Sequence, residues 1–278
     1  MRTVLLPLAL LALTACEPQP EGKPVTRARI DGKGEPSPSP AATPSVASQV
    51  ESACRSIIFE NTPLTHCLAV PSRHTIAMEL GPDGEAPYRS LSALAKARGE
   101  DSNVAFAMNA GMFDDEGKPI GYFVEDSDRL HTLNTNDGEG NFHMKPNGVF
   151  FGSGGNWEVR ATEDFLANVS ERPEFGTQSG PMLVIDGKIH PEIAADGPSR
   201  LARNAVGVDE RGRAHFVISN APLSFGKLAR FYRDKLKVKN ALYLDGTVSA
   251  LWNPSTDRLD SGAPIGPIVV VERKDSAE

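Results

Sequence analysis

The sequence predicts an α+β domain over residues 51–275, built on a mixed, largely antiparallel sheet with several helices. Three observations lead there. Short runs with strand character outnumber helical patterns. Several of these runs come in pairs around tight polar turns, as hairpins do. A hydrophobic content of 40% is enough for a proper core, and no repeat at a fixed period divides it.

The elements follow in chain order. Ser56 to Glu60 and Thr65 to Val70 are predicted strands, with Thr62-Pro63 in the turn between them, and Thr75 to Leu80 alternates as a third. Leu91 to Ala97 has helical character and Gly99 ends it. Val104 to Met108 is a buried strand running into Asn109-Ala110-Gly111-Met112-Phe113. Gly121 to Val124 and Gly148 to Phe151 are further strands, and Gly152-Ser153-Gly154-Gly155 reads as a hairpin turn, since it lacks the lysine of a P-loop. A short helix is expected over Thr162 to Val169. Met182 to Ile185 and Lys188 to His190 pair around Asp186-Gly187; Ala205 to Val208 and Ala214 to Ile218 pair around Asp209 to Arg213. In the amphipathic helix Phe225 to Leu236, Leu228, Phe231, Tyr232 and Leu236 share one face. Ala241 to Leu244 is a buried strand ending at Asp245-Gly246, and Ile268 to Val271 closes the domain.

The first 50 residues read differently. Arg2 starts a short apolar run, Val4 to Leu13, which has the length of a secretory signal and not of a membrane span. Leu13-Thr14-Ala15-Cys16 resembles a bacterial lipobox, so residues 1–15 are expected to be a signal peptide and Cys16 the lipidated mature N-terminus. An ordinary secretory signal with an incidental cysteine is the alternative. Glu17, rather than Asp, follows the cysteine, which leans towards the outer membrane, so a lipid-anchored, periplasm-facing envelope protein is expected. Residues 16–50 are rich in Pro, Ser, Ala and Thr, too poor in apolar surface to fold, and read as a tether.

Charge and cysteines narrow the class. A net charge of -7 argues against nucleic acid, which calls for a basic stripe. With Cys16 assigned to lipid, Cys54 and Cys67 remain, and export favours a disulfide between them. Zinc lacks a second cysteine pair or a nearby histidine pair; two free buried thiols are the other alternative.

Chemistry is expected where buried strands end in polar, glycine-containing turns. Four such places stand out: Phe106 to Phe113, Thr177 to Met182, Ser199 to Gly207 and Leu242 to Leu251. Asn109 can donate to and accept from a ligand, and Gly111 lets the backbone approach closely. Thr177-Gln178-Ser179-Gly180-Pro181 is read as a polar turn entering a strand. Arg203 stands immediately before an apolar strand, and its planar fork of donors suits phosphate. Asp245 ends a strand with no polar break. Each residue also has a plain reading: a turn cap for Asn109, an ion pair for Arg203, a hairpin for Asp245-Gly246.

Taken together and in order, Asn109-Ala110-Gly111-Met112-Phe113, Asn134-Thr135, Lys145-Pro146-Asn147-Gly148-Val149-Phe150, Thr177-Gln178-Ser179-Gly180-Pro181 and Leu244-Asp245-Gly246 resemble the phosphodiester glycosidase family over about residues 52–273. Two departures from the better-known branch stand out: Asn109-Ala110-Gly111 in place of Asn-Gly-Gly, and Asp245-Gly246-Thr247 in place of Asp-Gly-Gly. The resemblance implies hydrolysis of a glycosyl phosphodiester at the anomeric carbon; no cofactor and no metal ligands are assigned from the sequence. In that reading Asp245, Asn109 and Arg203 are catalytic: Asp245 as nucleophile or partner of the sugar cation, Asn109 orienting the sugar, Arg203 on the phosphate. Gly111, Asn147, Ser179, Gly180 and Gly246 line the substrate. Glu125 and Asp114 are candidates for a second carboxylate.

Other readings are weaker. Ser179 is not in a Gly-x-Ser-x-Gly elbow. His143, His190 and His215 are scattered through the chain rather than spaced as ligands. Asp137-Gly138-Glu139-Gly140-Asn141 is oxygen-rich but too short for an EF-hand. The rival function is a non-catalytic envelope protein that binds glycan or anionic polymer.

Overall fold

Pairs of left-handed residues set much of the topology. The computed structural model describes residues 51–82, 84–99 and 102–274; the signal peptide, Cys16 and the tether lie outside the described residues. In chain order the strands are β1 (Cys54–Phe59), β2 (Thr62–Ala69), β3 (His74–Glu79), β4 (Val104–Asn109), β5 (Phe123–Glu125), β6 (Asp128–His131), β7 (Gly148–Ser153), β8 (Asn156–Ala161) and β9 (Phe175–Ser179). After them come β10 (Met182–Ile185), β11 (Lys188–Ile189), β12 (Asn204–Val208), β13 (Ala214–Ser219), β14 (Asn240–Asp245), β15 (Leu251–Asn253), β16 (Arg258–Leu259) and β17 (Ile268–Arg273). The α-helices are α1 (Leu91–Arg98), α2 (Thr162–Asn168) and α3 (Phe225–Arg230).

Four hairpins close through two consecutive residues at positive φ: Glu60-Asn61, Asp126-Ser127, Gly154-Gly155 and Asp186-Gly187. This is the primed turn whose twist matches the flanking strands. The first of these corrects an expectation. Thr62 and Pro63 are not the turn but the start of β2, opposite Phe59 and Ile58, and the Pro63 carbonyl accepts from the Asn220 amide at 2.9 Å. The Cys54–Cys67 disulfide joins directly opposed positions of β1 and β2, so the two remaining cysteines are paired.

The strands form three sheets, ordered β1-β2-β13-β12-β14-β10-β11, β16-β15-β4-β17-β3 and β6-β5-β9-β7-β8. The fold is α+β, and the pairings that build these sheets are antiparallel. One core cluster draws on all three: Phe216 and Leu242 from the first, Met108 and Val269 from the second, Phe150 and Phe175 from the third. Strands β4 and β17 are buried on both faces. Met108 and Val269 face that cluster while Ala107 and Val270 face Leu91 and Leu94 of α1. Such two-sided burial gives a continuous apolar run rather than alternation.

Helical positions agree with the pattern, with one change. The stretch 225–236 is α-helical only to Arg230 and continues as a π-helix over Phe231–Leu236, ending at Lys237 with φ 57°. Leu228, Phe231 and Tyr232 are buried as expected. Strand β9 is a second correction. Residues 177–179 are not a turn; they belong to the middle strand of the third sheet and are buried throughout. The polar side chains there are accepted inside because partners meet them. Gln178 fills its whole hydrogen-bonding capacity, taking the Tyr122 and Asn134 amides on Oε1 and donating through Nε2 to Asn134 O and Thr162 Oγ1.

Candidate active site

The ends of three strands converge. Asn204, first residue of β12, lies opposite Asp245, last residue of β14. Its amide nitrogen donates to the Asn109 carbonyl at 2.8 Å and to Asn109 Oδ1 at 3.1 Å, and its Oδ1 accepts from the Asp245 amide at 3.0 Å. One side chain therefore ties the end of β4 to the end of β14, across two sheets. Asn109 Oδ1 also accepts from the Ala250 amide at 2.9 Å. An N–H can only donate, so this contact fixes which way the Asn109 amide points, and it leaves Asn109 Nδ2 buried without a partner.

Asp245 is 7% exposed. Its Oδ1 accepts from the amides of Gly246 at 2.6 Å and Thr247 at 2.9 Å. Burial pushes the Asp245 carboxyl above the usual range for aspartate, against the pull of the Thr247, Gly246 and Val248 amides. The tight curl that presents those amides needs glycine at 246: a side chain there would collide with the Tyr243 hydroxyl, 2.0 Å from an added Cβ.

Asp245 lines a cavity of about 470 Å³, with Asp114, Asp115, Asn141, Phe113 and Arg89 among the other walls. That mixture of carboxylates, an amide and an aromatic face suits the hydroxyls and apolar faces of a sugar. A second cavity of about 280 Å³ adjoins it, sharing Thr247 and Val248, and is lined by the hydroxyl residues Ser90, Ser92, Ser249 and Ser261.

Of the residues singled out from sequence, Asp245 and Asp114 face the first cavity and Gly246 the second. The others surround these cavities without lining them. Asn109 reaches Asp245 through Asn204. Gly111 packs on β9, its amide donating to Thr177 Oγ1 at 3.1 Å, and an added Cβ would lie 2.3 Å from the Gln178 carbonyl. The Ser179 hydroxyl donates to the Leu244 carbonyl at 2.6 Å, so it braces β14 just before Asp245. Asn147 is buried, donating to the Phe142 carbonyl at 2.8 Å, and packs against Gly180. Glu125 lines neither cavity, and its Oε1 accepts from the Leu80 amide.

Arg203 is fully buried, and its guanidinium is engaged by the protein itself. Nε donates to the Leu223 carbonyl at 3.0 Å, Nη1 to the Tyr243 hydroxyl at 3.1 Å and Nη2 to Ser199 Oγ at 2.9 Å. The plane stacks 3.7 Å from the Phe225 ring centre. Burial draws its pKa down while Tyr243 draws it up. This geometry puts Arg203 next to Tyr243 and in the lining of neither cavity. The expected pairing of Arg203 and Asp245 around one ligand is thus not what the fold assembles: Asp245 lines the first cavity and the Arg203 donors are taken by Leu223, Tyr243 and Ser199.

Sequence reasoning missed Arg89, Asn141 and Asn204 as parts of the site. Asn204 does carry a signal, since it starts a strand directly after Arg203. Arg89 comes from a loop and Asn141 from a single 3-10 turn, Asn141–His143, both too short for periodicity to mark a residue.

With this geometry in hand, the chain can be set beside known proteins. A family model described as phosphodiester glycosidase matches residues 102–272. The chain is similar to uncharacterized protein YigE of Escherichia coli (strain K12), 34% identical over 192 residues, which is 69% of this chain and 74% of that one. Among solved structures it is similar to the zebrafish N-acetylglucosamine-1-phosphodiester alpha-N-acetylglucosaminidase (NAGPA) catalytic domain auto-inhibited by pro-peptide. There the TM-score is 0.54 at 16% identity, covering 80% of this chain and 82% of the other, a likeness of fold.

Proposed function

Because the chain belongs to the phosphodiester glycosidase family, we propose that it hydrolyses a sugar-1-phosphodiester of the cell envelope, with Asp245 beside the anomeric carbon. The observation that carries this reading is a buried carboxylate on the wall of a cavity of about 470 Å³ whose named stabilisers are all main-chain amides. No cation neutralises it from within that set, so its charge is available to a ligand.

The reaction needs little from the leaving group. The bond between C1 and the phosphate oxygen breaks, and the phosphate monoester departs with the electron pair. Water adds to C1, leaves a hydroxyl on the sugar and gives up its other proton. Positive charge builds on the sugar as this happens, and an ionised Asp245 stabilises it. Asp114 lines the same cavity and is the candidate to activate the water. Asn109 acts at one remove, as a positioning residue for Asp245 through Asn204.

The test is turnover of purified protein on a panel of sugar-1-phosphodiesters, with Asp245→Asn as the control. Cleavage by the native chain and loss in the variant support the reading. A protein that binds such diesters and cleaves none belongs to the rival class, a non-catalytic glycan binder.

The same reading puts the domain at the cell envelope, periplasm-facing and held through lipid on Cys16, more in the outer membrane than the inner. Leu13 to Cys16 supports it, as does the Cys54–Cys67 disulfide, since such bonds persist in oxidising compartments. Cys16→Ser is expected to lose lipid labelling and to release the protein in soluble form. Unchanged membrane partition would sink the anchoring proposal.

A further inference from the structure

Arg89 is the cationic side chain on the wall of the Asp245 cavity, and among the described residues no carboxylate forms a salt bridge with it. Its Nη1 is buried without a hydrogen-bond partner. The guanidinium is nonetheless held in place: its carbon lies 5.4 Å from the Phe113 ring centre, and Gly117 packs so closely that an added Cβ would sit 1.9 Å from Nη1. The backbone at Arg89 is left-handed, φ 59°, a region that side chains other than those of glycine and asparagine rarely occupy. A buried donor with no partner, on a constrained backbone, at the wall of a candidate site, is a group waiting for an acceptor.

Position specifies what kind of acceptor. Arg89 lines the cavity of Asp245 and the next residue, Ser90, lines the second cavity. Thr247 and Val248 line both, while Pro264 lines the first and its neighbours Ala263 and Ile265 line the second. Three chain segments therefore form a common wall, and Arg89 stands on it. The first cavity is acidic, with Asp114, Asp115 and Asp245, and it repels an anion placed deep inside. The second mixes hydroxyls with apolar side chains such as Leu91, Val248 and Ile265, and the carboxylate it does contain, Asp260, is already engaged by Arg258 and the Leu251 amide.

Resting on the hydrolytic reading above, we propose that Arg89 holds the phosphoryl group of the diester at the wall common to the two cavities. The sugar then lies in the acidic cavity and the alcohol half in the serine-lined one. A neutral alcohol that carries both hydroxyls and apolar surface fits that second cavity better than an anionic one. A guanidinium fork suits two phosphoryl oxygens in a way a point charge does not.

The experiment is calorimetric binding of inorganic phosphate and of a hexose 1-phosphate to the full chain, compared across the native protein, Arg89→Gln and Arg89→Lys. Among the described residues no hydrogen bond or ion pair engages the guanidinium, so both variants are expected to fold, checked by circular dichroism and melting. We expect affinity to fall tenfold or more in Arg89→Gln and by an intermediate factor in Arg89→Lys. Native protein that binds neither probe, or Arg89→Gln that binds them with native affinity, overturns the proposal. Binding through Arg89 without turnover of any sugar-1-phosphodiester retires the hydrolytic reading and leaves the anion site standing. Turnover by Arg89→Gln at the native kcat/KM retires Arg89 and leaves the hydrolytic reading standing.

Discussion

At the scale of single residues, Asp245→Asn isolates charge from shape. Asparagine keeps an Oδ1 that can accept from Gly246 and Thr247, so the loop holds and the melting temperature changes little. Turnover should fall by about a hundredfold or more, the usual loss when a preorganised charge interaction is removed. The native pH profile adds a second reading. Burial raises the Asp245 pKa, so falling pH protonates it early, and the acid limb of kcat/KM should lie above the ordinary aspartate range near 4. A limb at or below that range would count against an ionised Asp245. Asp245 was legible in the sequence because an apolar strand that runs straight into an acid and a glycine sets that carboxylate at the rim of the buried core. Arg203 was misplaced for an equally physical reason. An arginine before a buried strand signals a demand for its donors, and here the demand comes from Leu223, Tyr243 and Ser199 rather than from a ligand. Sequence shows that a donor is needed but not who accepts.

At the scale of elements, adjacent strands β2 and β13 carry a buried relay. His66 Nε2 and His215 Nδ1 are 2.9 Å apart, and His215 Nε2 is 3.1 Å from Asp209 Oδ2. The carboxylate only accepts, so His215 presents Nε2–H to it and Nδ1 as an acceptor to His66, with both rings neutral. Burial, with His215, Arg55 and Arg213 nearby, holds His66 down to about 3, and burial also lowers His215. An unfolded chain takes up these protons near pH 6.5, whereas the folded one takes up that of His66 only near 3 and that of His215 below its ordinary value. Stability therefore falls as pH drops from about 6.5 towards 3, by up to about 1.4 kcal/mol per pH unit for His66, and His215 contributes in the same direction. Chemical denaturation across pH should show this slope, reduced in His66→Gln; an unchanged slope in that variant would assign it elsewhere. Most elements were legible, since hairpins such as β10–β11 carry Asp-Gly and α1 has Ser90 and Gly99 at its ends. Strand β8 was missed although Trp157 and Val159 alternate inward, and β9 because threonine, glutamine and serine are rare in a sheet centre unless other chain segments meet them. That compensation is tertiary and leaves no local trace.

Across the whole molecule, the shared core makes the sheets interdependent. The two tryptophans report on different parts: Trp157 sits in the central cluster, and Trp252 in the one between α1 and the second sheet. Strands β4 and β17 contribute to both clusters, so neither can melt alone. Trp157→Phe and Trp252→Phe, each leaving one fluorophore, should give unfolding midpoints that agree with far-ultraviolet dichroism once each variant's own stability shift is allowed for. Separate fluorescence and dichroism midpoints within one variant would mean the sheets unfold independently. The disulfide has a mechanical consequence of its own. Strand β1 is the edge of the seven-stranded sheet and carries the N-terminal end of the domain. Tension entering at residue 51 reaches Cys54 and passes through sulfur to Cys67, bypassing β1 and its turn. The load lands on β2, which is zipped to β13 from Ala69–Ala214 to Leu64–Ser219. The loop of 13 positions, about 45 Å of extended chain, is shielded from the pull, and an edge strand of the sheet drops out of the line of force.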